Sequence, residues 1–545
     1  MKVSNFPLAP ASAWNSNKMC LPHTRTAILD DIRDWIRTPT QRAEIYFLAD
    51  VAGSGKSAIA HSIAVWCSEQ NILASSFFFD RKEAARNHCQ GVILQVARDL
   101  AYRSPKIASL QDSNYANHAL SVQFEKLVIE PTQQSPLPGS QVLIFDALDE
   151  ADDNADFLNI LRYNVPKLPS NFRVFVTSRN DYEIMNSFES SSPHLTFHSI
   201  DIHGASSKDD IMTVIQHRLE HVRLRRRLPQ NWPSAGELHQ FQVKAEGLML
   251  WVTTICEYLS SPKDAPIPQK ELSRFLSAHS PAALDPVAKM EELYAAILGK
   301  SKWKSDDVRL YQSVVGTVVA AKRPLSARAM QELLKYDAEF NPEPHQYRLN
   351  VETVLHESPT RTLLTGCEEP SQPIQVLHLS FREYVTNQSH SASPFFIDEK
   401  RHSQRLALYC IEFMNEHLSP KIVCGMGYLA DDLPYESIPK ISVLNAVSHA
   451  VSPAIFDAVS YSCQFWLSHL DDIEDIENDS CVALRHALDR FLSTHAVSWL
   501  EVLVANEKYR PLLTPNIRKC LVSMVSDSIY LCSLSFVPET VHTYR

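Results

Sequence analysis

Glycine is scarce in this chain, 12 of 545 residues, against roughly 7% in ordinary proteins. That scarcity disfavours a turn-rich all-β protein and favours many helices. The 11 cysteines are scattered and include no Cys-x-x-Cys pair. Neither a disulfide framework nor a zinc site is therefore expected, and reduced thiols suit a cytoplasmic or nuclear protein. No apolar run approaches the ~18 residues of a membrane span; Gly247 to Leu259 is broken by Thr253, Thr254 and Glu257. The first residues lack the charged-then-apolar pattern of a signal peptide. Positive charge is also short. The net charge of −11 is spread along the chain and leaves no basic footprint for nucleic acid. The run Arg223 to Arg227 reads as a solvated helix end. The expectation is a cytoplasmic chain with no membrane span.

Against that scarcity, two glycines within three positions, Gly53 and Gly55, stand out in Phe47-Leu-Ala-Asp50-Val-Ala-Gly-Ser-Gly-Lys56-Ser57. An apolar run here breaks into a small-residue turn that ends Gly-Lys-Ser. Backbone N–H groups can wrap a phosphate only where side chains are absent, so Gly53, Ser54, Gly55, Lys56, Ser57 and Ala58 are the candidate nucleotide-binding residues. Lys56 would reach the β- and γ-phosphates, and the Ser57 hydroxyl would ligate Mg²⁺. A helix from Ser57 to Glu69 would aim its positive end at the same charge. One position departs from the pattern: the first glycine is replaced by Asp50. With its carboxylate ~6 Å from a phosphate charge, repulsion would reach ~3 kcal/mol at an effective dielectric near 20, on the order of 100-fold in affinity. Directed away and solvated, it would cost well under ~1 kcal/mol.

Strand-like runs recur at Glu44–Ala49, Leu73–Phe79, Gln141–Asp146, Phe172–Arg179 and Leu195–Ile200, with a helical pattern from Thr24 until Pro39 ends it, and others at Ala84–Arg103 and Val122–Ile129. Pro131 to Gly139 reads as a loop. This alternation predicts an α/β fold, a parallel sheet with helices on both faces. Gln141 to Asp146 would deliver a carboxylate at its C-terminal edge, where ligands bind in such sheets. Asp146 is the second candidate Mg²⁺ ligand. Glu150 is the candidate to polarise an attacking water, with Asp149 supporting, and Arg179 the candidate γ-phosphate sensor.

Beyond Gly204 the chain reads as helical, with candidates at Ser207–Arg226, Ala235–Leu259, Lys270–Leu276 and Pro286–Leu298. Val308–Ala321 and Ala327–Lys335 form a helix–turn–helix, and Arg361–Leu364 with Ile374–Leu377 a hairpin, together suggesting a winged helix. Glu332 opposes a DNA-reading role for the second helix. A lone His378 at a strand-to-helix junction reads first as a packing or capping residue. A length of 545 residues calls for several domains. Their expected bounds are a flexible arm (1–20), a P-loop NTPase domain (21–205), a helical domain (206–300), a winged-helix domain (301–396), a C-terminal helical domain (397–510) and a tail (511–545).

Asp146-Ala-Leu-Asp149-Glu150 after an apolar strand resembles the acidic motif of NACHT-type signalling NTPases. Val51-Ala-Gly-Ser-Gly-Lys-Ser57, Ser76-Phe-Phe-Phe-Asp-Arg81, Val176-Thr-Ser-Arg179, Cys20-Leu-Pro-His-Thr-Arg25, Gly247-Leu-Met-Leu-Trp251 and Leu377-His-Leu-Ser-Phe-Arg-Glu-Tyr384 are similar to the fungal branch of that family. The resemblance implies a STAND-type switch akin to NOD-like receptors, holding ADP between its domains and opening to self-associate on exchange for ATP. It further implies that His378 contacts a nucleotide phosphate and that Arg25 lies near base and ribose. Asp50 and His23 stand where relatives carry glycine, and Met249 where related switches often carry proline. Relatives usually add an effector domain and C-terminal repeats; neither is recognisable here, although Ser533 to Pro538 resembles the lead-in to a propeller. The expectation is a shortened version without its own sensor.

The sequence thus points to an ATP/ADP-binding switch with slow hydrolysis at best, working with Mg²⁺ and with itself or other signalling proteins. The alternative is a degenerate, nucleotide-poor scaffold acting through protein contacts.

Overall fold

The apolar runs of the first 200 residues become strands β1 (Glu44–Ala49), β2 (Leu73–Phe78), β3 (Gln141–Asp146), β4 (Phe172–Ser178) and β5 (Leu195–His198). They lie in one sheet in the order β2-β3-β4-β1-β5, and every pairing is parallel. Near-continuous apolar sequence is what a strand covered on both faces requires. Alternate residues serve the two faces. Ile45, Phe47, Leu143, Phe145, Val174 and Val176 pack with Val92, Ile93 and Val96, which belong to helix α1 (Cys89–Arg103). Tyr46, Leu48, Val142, Ile144 and Phe175 pack on the other side with Ile32, Ile36, Ile59 and Ile63, from two helices spanning Thr26–Arg37 and Lys56–Glu69. This is the α/β P-loop NTPase architecture.

The computed structural model divides into two units, Met1–Gly299 and Lys300–Arg545. The structure describes residues 12–81, 83, 86–152, 154–188, 194–200, 204–260, 267–277, 285–299, 303, 305–337, 350–352, 355, 359–418, 453–473, 481–496 and 498–499. Much of the 1–20 arm, the 511–545 tail and the Ser533–Pro538 stretch lie outside them.

In the first unit the sheet is followed by helices α2 (Ala205–Arg226), α3 (Ala235–Ala245), α4 (Met249–Ser260), α5 (Pro268–Ser277) and α6 (Pro286–Leu298). Three sequence expectations change. The helix expected from Ala84 begins at Cys89, after an extended His88. Glu130–Gln134 is helical where a loop was expected: it continues the helical run of Leu120–Phe124 through a π turn at Glu125–Ile129. The single helix expected over Ala235–Leu259 is two helices. Glu246 (φ 51°) and Gly247 (φ 84°) take left-handed backbone between them, a geometry that ends a helix.

In the second unit a helix at Ser305–Ala320 leads through β6 (Leu325–Ser326) into a helix at Ala327–Leu333, whose first turn is capped by the Ser326 hydroxyl. Strands β7 (Leu364–Thr365) and β8 (Pro373–Val376) pair antiparallel, and β8 also pairs with β6. Gly366 makes the hairpin possible: φ is +82°, and a Cβ there would sit 2.0 Å from the Pro373 carbonyl oxygen. Helices Glu399–His417, Pro453–Asp471 and Val482–Thr494 pack together behind this layer. Among the described residues, no helix is long and apolar enough to cross a membrane.

Candidate functional site

β1 ends at Ala49, the chain turns through Asp50 to Gly55, and a helix starts at Lys56. Gly53 (φ 81°) and Gly55 (φ 100°) supply the left-handed backbone of the turn, which side chains resist. Gly53 is doubly constrained, since a Cβ there would lie 2.6 Å from the Leu250 Cβ on α4. The first helical bond is Ile59 N–H to Gly55 O, at 3.2 Å, and no side chain caps the helix. Among the described residues no acceptor meets the N–H groups of Lys56, Ser57 and Ala58. Three donors at the positive end of a 14-residue helix form a cradle suited to an anion. The Lys56 ammonium donates to the Asp50 and Val51 carbonyls, both at 2.8 Å. Burial lowers its pKa, while Asp149, Asp50 and Asp146 push the other way.

The acids assemble beside it. Asp146 closes β3, where Oδ1 accepts the Thr177 hydroxyl at 2.5 Å and the Ser57 hydroxyl also bonds its carboxylate. Burial pushes the Asp146 carboxyl above the usual range, against the hydrogen bonds from Thr177 and Ser57 and the charge of Lys56. The two groups expected to hold Mg²⁺ therefore meet, both hard oxygen donors of the kind that ion takes. Ala147 then turns with φ 59°, and its N–H bonds the Thr177 hydroxyl at 3.0 Å. Asp149 follows. Its Oδ1 accepts the Arg179 N–H at 2.9 Å and its Oδ2 lies 3.1 Å from Arg179 Nε. Glu150 Oε2 accepts the Arg81 N–H at 3.3 Å, while Arg81 Nη2 donates to the Asp149 carbonyl at 2.7 Å. Loop donors, lysine, hydroxyl and acids thus converge in one place, and they fit a magnesium-bound polyphosphate.

Arg25, expected near base and ribose, braces the loop. Nη2 donates to the Ser54 carbonyl at 2.9 Å and Nη1 to the Ser207 hydroxyl at 2.8 Å, with Asp210 at 3.7 Å. Asp50 is buried, and both its carboxylate oxygens accept backbone N–H groups, from Val51 at 2.6 Å and Ile200 at 3.0 Å. His378 belongs to the second unit, where it caps the helix Leu379–Thr386 by accepting the Ser380 N–H on Nδ1 at 3.1 Å. That is the capping role its position suggested.

Sequence reasoning missed Thr177, Arg81, Ser207, Asp210 and Leu250 as parts of the site. Thr177 carried a signal, a hydroxyl near the end of a mostly apolar strand. Ser207 and Asp210 carried none, because only the fold brings α2 to Arg25.

The family model described as Nephrocystin 3, N-terminal, matches residues 23–179, the stretch that holds the loop, the acids and Arg179. The vegetative incompatibility protein HET-E-1 of Podospora anserina is 22% identical over 502 residues, which cover 85% of this chain and 34% of that protein. The chain spans about a third of that relative's length. Solved structures that align include Cdc6p from Pyrobaculum aerophilum (14% identity, 70% of this chain and 96% of that one, TM-score 0.32) and the ORC2 protein of Aeropyrum pernix (11%, 70% and 98%, TM-score 0.31). Such low TM-scores add nothing to what the sheet itself establishes. With the phosphate loop and the acidic strand meeting at the C-terminal ends of the strands, these two sequence matches make the chain similar to NACHT/STAND NTPases.

Proposed function

We propose that the chain is an ATP/ADP-binding signalling switch with slow or no hydrolysis, whose nucleotide state controls domain opening and self-association. The observation that carries this reading is the meeting of Lys56, Ser57, Asp146 and Asp149 at the start of the helix whose first three N–H groups meet no acceptor among the described residues. The phosphates would lie against the N–H groups of Lys56, Ser57 and Ala58, with Gly53, Ser54 and Gly55 forming the cradle. Ser57 and Asp146 would hold Mg²⁺, which when bound screens the phosphate charge. Slow turnover is the expected consequence of Arg179 engaging Asp149 and of Glu150 bonding to Arg81. A switch of this kind uses nucleotide affinity to choose between arrangements, and the winged-helix reading of 301–396 belongs to the same proposal. So does the nucleotide contact that the resemblance implies for His378, tested by whether His378→Ala speeds ADP release.

The deciding experiment is to purify the full chain, extract bound nucleotide and identify it. ADP or ATP in near-stoichiometric amount, lost in Lys56→Ala, is the expected result. Nucleotide-free protein that is indifferent to Lys56→Ala would establish the scaffold reading instead.

A further inference from the structure

Position 50 is where the phosphate-loop pattern asks for glycine, and the aspartate there is fully engaged. Oδ1 accepts the Val51 N–H at 2.6 Å and Oδ2 the Ile200 N–H at 3.0 Å. Ile200 lies just beyond β5, 150 residues along the chain, and its side chain packs into the layer with Tyr46 and Leu48. The Asp50 backbone makes two more links. Its N–H donates to the Ser178 carbonyl at the end of β4, at 3.3 Å, and its carbonyl accepts the Lys56 ammonium at 2.8 Å. The residue is 5% exposed, and Lys56 and Arg25 are the cations that offset its charge. A glycine would keep both backbone links and lose both carboxylate links. The start of the loop would then lose its tie to the chain beyond β5 and keep only the backbone bonds to Ser178 and Lys56, with a residue of greater backbone freedom at the pivot.

We propose that Asp50 is a positioning residue of the nucleotide site, its carboxylate stapling the start of the phosphate loop to the chain beyond β5 and thereby fixing where Lys56 lies. This rests on the reading of the site as a nucleotide site. It reverses the effect expected from repulsion alone, under which removing the carboxylate tightens binding. A carboxylate that already accepts two N–H groups and faces two cations carries little uncompensated charge toward a phosphate. Taking it away leaves two N–H donors without their acceptor.

Asp50→Glu separates the two effects, because it keeps the charge but moves the oxygens by a methylene. Asp50→Asn keeps one acceptor and turns an NH₂ toward the second N–H donor. The test titrates Mg·ADP into the full-length wild type, Asp50→Gly, Asp50→Asn, Asp50→Glu and Lys56→Ala, well below each protein's melting temperature. Amide exchange is followed at Ile200 in parallel. The expected result is that Asp50→Gly and Asp50→Glu each bind about tenfold more weakly. Asp50→Asn should weaken binding less, and Ile200 should exchange faster in all three. A role in global stability alone would lower melting temperatures and leave these affinities unchanged, which overturns the proposal. So does a wild type that binds while Asp50→Gly binds equally or more tightly, although the nucleotide site then stands. If Asp50→Gly does not fold, wild-type affinity in Asp50→Glu overturns the proposal and a tenfold loss supports it. A wild type that binds no Mg·ADP and matches Lys56→Ala overturns the site reading, and the positioning role falls with it.

Discussion

Arg179 grips Asp149 twice, through its backbone N–H at 2.9 Å and its guanidinium Nε at 3.1 Å. Asp149 is also the acid with the strongest pull on Lys56. The arginine therefore moderates the negative charge beside the lysine that would meet the phosphates. Arg179→Ala keeps the backbone bond, so Asp149 stays in place with its charge unpaired. The expected outcome is weaker nucleotide binding, by about 1 kcal/mol or roughly fivefold for this largely buried pair. The loss should be larger for Mg·ATP than for Mg·ADP, because the extra phosphate brings more negative charge. Parallel titrations with the two nucleotides check it; an unchanged ATP-to-ADP ratio would remove Arg179 from the charge balance of the site.

The two loop glycines should fail for different reasons. Both have positive φ, but a Cβ at Gly53 meets the Leu250 Cβ at 2.6 Å, whereas a Cβ at Gly55 meets nothing within 4 Å. Gly55→Ala should cost only the left-handed strain, about 1–2 kcal/mol. Gly53→Ala adds a clash with a helix that also donates the Leu250 N–H to the Gly53 carbonyl at 3.2 Å. Leu250→Ala leaves its own Cβ in place but removes the Leu250 Cδ2 that a Gly53 Cβ would meet at 3.2 Å, so it should restore Gly53→Ala in part and Gly55→Ala not at all. Thermal melting of the three single and two double variants, with and without nucleotide, decides this.

The strands were legible because a buried parallel strand cannot avoid writing itself as an apolar run, and Asp146 because a carboxylate ending such a run is conspicuous. The phosphate loop was legible for the same kind of reason, since only glycine meets its backbone demands cheaply. The bonds that position the site were not. Asp50 finds Ile200, and Arg25 finds Ser207, across 150 and 182 residues, and nothing local to those residues names the partner. The sequence therefore left Asp50 with two opposed readings, and the Ile200 N–H favours the one directed away from phosphate. Glu246 helped to hide the break in Ala235–Leu259 because glutamate is an ordinary helix residue, yet with Gly247 it takes the left-handed backbone that ends the helix there.

Asp146 should oppose stability where it serves binding. Its carboxyl is buried and its pKa raised above the ordinary 3.8. A raised acid contributes stability that is fully present below about pH 3.8 and lost as pH rises through the folded-state value. At pH 7 the carboxyl therefore works against folding of the nucleotide-free protein. Asp146→Asn retains an oxygen for the Thr177 hydroxyl and carries no charge. Its melting temperature at pH 7 should exceed the wild type's by a few degrees, and the gain should vanish near pH 4. The stabilisation that Mg²⁺ adds in the presence of nucleotide should disappear with it. Melting curves at both pH values, with and without Mg²⁺, test the trade; a destabilised Asp146→Asn at pH 7 would contradict it.

His61 gives the first unit the opposite slope on the acid side. Its ring stacks on Phe78, with centroids 4.0 Å apart, and its Nδ1 accepts the Asn15 N–H at 3.1 Å. A protonated ring could not accept that bond. Burial, with a smaller effect of Lys18, pushes its pKa down to about 4 from 6.5. A base depressed on folding contributes stability that is present above pH 6.5 and lost as pH falls toward 4. At pH 5 the loss is about 2 kcal/mol, from ~1.4 kcal/mol for each pH unit below 6.5. His61→Phe keeps a stacking ring and removes the titration, although it leaves the Asn15 N–H without its acceptor. The variant should be less stable than the wild type at pH 7, and the gap should close or reverse by pH 5. Denaturant unfolding at the two pH values measures that crossing. Parallel pH profiles for the two proteins would mean that His61 is not the group that titrates.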